Sequence, residues 1–150
     1  MLTSRLVEQS KLQDAGFAIV LHGGEPLLLG YERLRLLITG LRAELDYEKY
    51  PISLQTNGSL IDDKMLKLFA DERVSVSISI DGDENANDAG RLDLRGNSTF
   101  IRTLKGIEAL QSHPDSDFLF AGTLSVIQTS VPATRTYDFL KSIGSPNMDF

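Results

Sequence analysis

The chain has 150 residues, 41% of them hydrophobic and 24% charged, the proportions of an ordinary globular domain. A formal charge of −6 leaves no basic patch to neutralise phosphates, which argues against a nucleic-acid partner. The chain contains no cysteine, so disulfides, thiolate metal sites and cysteine nucleophiles are excluded within these residues.

In chain order, residues from about Thr3 to Ala15 read as a helix ended by Gly16. The stretch MLTSRLVEQSKLQDAG has no apolar signal region and no segment has the ~18 apolar residues of a membrane span, so a cytoplasmic protein without a membrane partner is expected. FAIVL, residues 17–21, is too short for a helix and suits a buried strand. Leu34, Leu37, Ile38, Leu41 and Leu45 then recur at helical spacing through Tyr31 to Tyr47. PISLQTNG predicts a strand and turn, and Met65, Leu66 and Phe69 stripe a short helix that Asp62 can cap. VSVSISIDG is the clearest strand. Ser98 is placed to cap a helix carrying Phe100, Leu104, Ile107 and Leu110. FLFAGTLSV is a further strand, Ser130 can cap a helix from Pro132 to about Ile143, and MDF opens a last strand. The alternation predicts an α/β domain with one parallel sheet, right-handed crossovers and flanking helices.

Two strands divide their faces in the same way. Val74, Val76, Ile78 and Ile80 alternate with Ser75, Ser77, Ser79 and Asp81, as Ile52 and Leu54 do with Ser53, Gln55 and Asn57. A parallel sheet covered by helices on both sides is apolar on both faces. One polar face therefore predicts a curved sheet with helices outside and water or a polar ligand inside. The working end of such a sheet is the C-terminal rim of its strands. There the chain collects His22, Gly23, Gly24, Glu25 and Pro26, then Gln55, Thr56, Asn57 and Gly58, then Ser79, Asp81 and Gly82, then Ser125 and Gln128. Asn-Gly and Asp-Gly taken singly are turn residues. Polar groups beside glycine at successive strand ends favour a site.

LHGGEPLL, LQTNGSLI and SISIDG, in this order and spacing, resemble the radical S-adenosylmethionine (SAM) superfamily. The match lies at Gly23-Gly24-Glu25-Pro26, at Gln55-Thr56-Asn57-Gly58 and at Ser79-Ile80-Asp81-Gly82. DGDENANDAGRLDLRGNSTF resembles the following loop of the SPASM-type, peptide-modifying branch, with Asn87, Asp88 and Arg91 in place of a His-Asp-x-x-Arg pattern. That variant and AGTLSVIQTS look most like maturases that form cyclophanes in ribosomal peptides.

The resemblance implies an incomplete (β/α)6 partial TIM-like barrel and SAM as cofactor. It implies that Gly23, Gly24 and Glu25, with Pro26 fixing the exit, receive the SAM ammonium group. Ser79 and Asp81 would face ribose hydroxyls or the methionine carboxylate, Val126 the adenine, and Asn57 would support the pocket. It implies a precursor peptide as the partner, and a 4Fe-4S cluster whose reduction of SAM yields a 5′-deoxyadenosyl radical. The family's cluster loop, C-x₃-C-x₂-C, has no counterpart here. Residues 1–150 are thus expected to be a partial core domain, without the first strand and its cluster loop, inactive alone and with an FAIVL sheet edge prone to self-association. The other reading is a non-catalytic remnant, a SAM-binding or interaction module without a cluster.

Several residues keep two readings. His22 either bonds a neighbouring turn or belongs to the rim. A lipase-like HGG loop is disfavoured because no G-x-S-x-G follows. Arg91 and Arg95 either pair with Asp88 and Asp93 or face a peptide or the SAM carboxylate.

Overall fold

The computed structural model describes residues 2–150. Its five strands, β1 (Ile19–Leu21), β2 (Ile52–Thr56), β3 (Val74–Ser79), β4 (Phe120–Leu124) and β5 (Met148–Asp149), form one sheet in sequential order. Every pairing is parallel, with Ile52 opposite Val74 and Leu54 opposite Val76. Parallel neighbours need crossovers, and helices supply them: α2 (Tyr31–Arg42), α3 (Asp63–Asp71), α5 (Phe100–Gln111) and α7 (Ala133–Ser142). α1 (Leu2–Leu12) precedes the sheet, while α4 (Glu84–Asp88) and α6 (Ser116–Leu119) are single turns.

The division of strand faces is as expected. Val74, Val76, Ile78 and Ile80 are fully buried, with Ile52 and Leu54 beside them. They form one core with Leu34, Ile38 and Leu41 of α2, Met65 and Phe69 of α3, and Ile107 and Leu110 of α5. The alternate residues Ser53, Gln55, Ser75, Ser77 and Ser79 are only half-buried. The helices thus cover the apolar side, and the serine-rich side stays open.

Local chemistry accounts for the boundaries. Asp62 caps α3 by accepting from the Met65 amide at 2.8 Å. α2 stops at Arg42, short of Tyr47, because the Asp46 carboxylate accepts from the Glu48 and Lys49 amides and builds a turn there. Ser130 makes no cap: α7 follows Pro132 without a side-chain cap bond. Ser98 does accept from the Phe100 amide at 3.2 Å, although Thr99 holds the cap position. Phe118 and Leu119, expected in a strand, lie in α6, and β4 starts at Phe120. α4 was not anticipated; Asp83 caps it through the Ala86 amide at 3.1 Å.

Glycine decides one close approach. An added Cβ at Gly106 of α5 would stand 2.3 Å from the Gly58 carbonyl oxygen, so the helix rests directly on the turn after β2. Thr103 donates to the Asn57 carbonyl at 2.9 Å and locks the same contact.

Candidate functional site

The C-terminal ends of β1, β2 and β3 open on one hollow of about 230 Å³. His22, Gly24 and Glu25 line it from the loop after β1, Gln55 and Thr56 from β2, Asn57 from the turn after it, and Ser79 from β3. Gly90, Arg91, Leu92 and Thr99, from the segment between β3 and α5, close the far wall. A predominantly polar hollow suits a charged, hydrogen-bonding ligand.

Gly23 and Gly24 hold φ of +118° and +24°, a region L side chains rarely adopt, and a Cβ at either would meet nothing within 4 Å. The loop is therefore bare backbone beside open space. Glu25 ends it and is tied down by three donors. Its Oε1 accepts from the Leu27 amide at 3.0 Å and the Thr56 hydroxyl at 2.6 Å, and its Oε2 from the Asn57 amide at 2.8 Å. A carboxylate has about four acceptor sites, so a further donor can still approach Oε2. Glu25 accordingly bridges the rims of β1 and β2 while lining the hollow. Pro26 starts the 3-10 turn Pro26–Leu29 and lines a separate apolar hollow with Leu28, Leu29 and Leu37.

On the open face, Gln55 donates to the Ser79 Oγ at 2.9 Å. The Ser79 hydroxyl hydrogen stays available for an acceptor in the hollow. Asn57 lines the hollow and also holds the turn after β2, its Oδ1 accepting from the Ser59 amide at 2.9 Å and the Ser59 hydroxyl at 2.6 Å.

Asp81 lies elsewhere than the strand alternation predicts. It is 2% exposed and sits behind the wall. Its Oδ1 meets the Arg91 Nη2 at 2.7 Å and accepts from the Val126 amide at 2.9 Å, and its Oδ2 accepts from Gln128 at 3.3 Å. β3 ends at Ser79, so the period of two no longer orients Asp81. Arg91 therefore pairs with Asp81, not with Asp88 or Asp93. Its Nε is buried without a partner, an arrangement that costs on the order of 1–3 kcal/mol. Val126 is 58% exposed and outside the hollow.

Asn87, fully buried, takes the Asp81 amide on its Oδ1 at 3.4 Å, and Asp88 accepts from Ser98 at 2.8 Å. Thr99, whose hydroxyl donates to the Arg91 carbonyl at 2.7 Å, was not picked out from the sequence. Its position ahead of an apolar-periodic helix was the available signal. Next to this wall, Asp93 accepts from the Arg95 and Asn97 amides, each at 2.9 Å. Those bonds, with the Asn97 amide foremost, hold its carboxyl below the usual carboxylate range.

Residues 4–122 match the description "Radical SAM superfamily". The chain belongs to the radical SAM superfamily. Among curated radical SAM relatives, the serine-type anaerobic sulfatase-maturating enzyme of Klebsiella aerogenes is 36% identical over 134 residues, 87% of this chain and 32% of that protein. The cysteine-type anaerobic sulfatase-maturating enzyme of Clostridium perfringens (strain 13 / Type A) is 31% identical over 102 residues, 67% of this chain and 27% of that protein. The chain thus spans about a third of the length of the first curated relatives it matches. A solved structure, native anSMEcpe with bound AdoMet and Kp18Cys peptide, superposes with a TM-score of 0.84 at 25% identity, over 98% of this chain and 40% of that one.

The cluster implied by the radical SAM family does not fit these residues. There is no cysteine, and among the described residues no group of three or more His, Asp or Glu side chains could hold a metal ion. No described helix is long and apolar enough to cross a membrane.

Proposed function

We propose that this chain forms the SAM-binding part of a peptide-maturase core. The observation that supports this reading is the convergence of the Gly24 backbone, Glu25, Gln55 and Ser79 on one polar hollow in a radical SAM chain. The donor set matches the ligand. A primary ammonium seeks carbonyl oxygens and a carboxylate, and the Gly23-Gly24-Glu25 segment presents both. Ser79 donates to a carboxylate or to a ribose hydroxyl. Val126 and Ile127, exposed on the loop after β4, offer apolar surface for adenine.

The relatives support a class for the whole protein's substrate. Those named above mature sulfatases, and the solved structure holds a peptide, which supports a peptide or protein substrate. Cross-linking of that substrate is the finer reading, and only the resemblance of Asn87-Asp88 and of residues 121–130 supports it. One observation favours a second reading. With no thiolate among its residues, the chain by itself is a SAM-binding module without radical chemistry, dependent on ligands from elsewhere for a cluster.

Isothermal titration of the chain with SAM tests the pocket. The expected result is weak, saturable binding that Ser79→Ala lowers about fivefold, the equivalent of one hydrogen bond at ~1 kcal/mol. Gly24→Ala, which projects a methyl group from the bare loop, lowers it further. Absence of heat at millimolar SAM, or indifference to both substitutions, refutes the proposal.

A further inference from the structure

Asp81 is buried and absent from the hollow, yet it holds Arg91, which lines that hollow, together with two groups of the neighbouring loop. Arg91 comes from the segment between β3 and α5, and Val126 and Gln128 from the loop after β4. The two segments approach closely at Gly90, where an added Cβ would stand 3.4 Å from Gln128 Nε2 and 3.7 Å from Asp81 Oδ2. Asp81 is itself anchored, since its amide donates to the buried Asn87. We propose that Asp81 is a positioning residue which, through one carboxylate, couples Arg91 in the pocket wall to the Val126 loop. This rests on the reading of the hollow as the SAM pocket.

The physical reason is the cost of a carboxylate left unpaired in a buried position. Asp81 has no water-facing alternative, so the contacts to Arg91, Val126 and Gln128 form together or leave charge uncompensated. Arg91 is the partner that reaches the hollow, and its guanidinium is oriented from behind by Oδ1. A ligand that engages Arg91 or presses on the Val126 loop is felt by the other segment through that shared oxygen. Asp81 touches no ligand in this arrangement; it acts through its partners.

Asp81→Asn tests the clamp, because it keeps the shape and one acceptor oxygen but removes the charge. In the full chain, NMR should show hydrogen exchange at the Arg91 Nε–H and the Val126 amide both accelerated at least tenfold, with the Leu110 amide in α5 unchanged. Titrated with SAM, Asp81→Asn should bind at least tenfold more weakly. The double variant Asp81→Asn/Arg91→Gln should bind no more weakly than Arg91→Gln alone, since residues acting through one another are non-additive. Additive losses, or unchanged exchange at both groups, overturn the proposal. If wild type binds no SAM, the pocket reading fails and the exchange arm alone decides the clamp. If Asp81→Asn does not fold, Arg91→Lys replaces it: faster Val126 exchange supports the coupling, and an unchanged rate refutes it.

Discussion

Glu25 shows how one side chain joins two strand ends. Leu27, Thr56 and Asn57 all donate to it, so the loop after β1 and the turn after β2 share a single acceptor group. Glu25→Gln replaces one oxygen with an NH₂ that must face another donor. The expected cost is ~1–3 kcal/mol in urea denaturation, with a lower Tm, because an N–H or O–H loses its acceptor. The sequence marks Glu25 as a rim residue, while the donors that hold its carboxylate are invisible there. Thr56 and Asn57 are 31 and 32 positions away, and only the parallel pairing of β1 with β2 brings them close. Asp81 repeats the lesson: its partners Val126 and Gln128 lie 45 and 47 positions on, beyond any local pattern.

At the scale of elements, α5 and the turn after β2 behave as a unit. Gly106→Ala raises helix propensity by up to ~1 kcal/mol, but its methyl group meets the Gly58 carbonyl at 2.3 Å. Overpacking of this kind costs typically ~1–3 kcal/mol, so the clash wins and a denaturant titration should show net destabilisation. The turn over Asp93–Asn97 carries its own pH response. The Asp93 carboxyl is held below the usual range chiefly by the Asn97 amide, so its ionised form favours the folded turn. That contribution is present above the unfolded carboxyl's range and is lost as pH falls through the lower, folded value. The protection factors of the Arg95 and Asn97 amides, taken against intrinsic exchange at each pH, should therefore fall on acidification through the carboxylate range while α5 stays protected. Protection factors that do not change with acidification would show that the turn does not depend on this charge.

For the whole molecule, the open edge of β1 is the feature with the widest consequence. Among the described residues β1 pairs with β2 alone, and Val20 is 59% exposed on it. An uncovered parallel edge offers unpaired backbone groups to another chain. Sedimentation velocity should show association that rises with protein concentration in wild type and is suppressed in Val20→Lys, which places a charge on the edge strand. Identical, concentration-independent profiles for both would exclude the edge as the contact. The adjoining apolar hollow of Leu21, Leu28, Leu29 and Leu37 extends the same side of the molecule.

The order of elements, the parallel α/β class and the polar face were legible in the sequence, because apolar periodicity and the residues that cap or break helices act over a few positions. The glycines and Glu25 were legible for the same reason: two bare residues at a strand end mark backbone that must turn through positive φ or leave room for a ligand. Tertiary structure alone decided which rim residues meet. It joined Gly24, Glu25, Gln55, Thr56 and Ser79 around one hollow and brought in Thr99. It turned Asp81 away, because beyond the last paired residue of β3 a buried carboxylate is oriented by its nearest cation and amide, not by strand alternation.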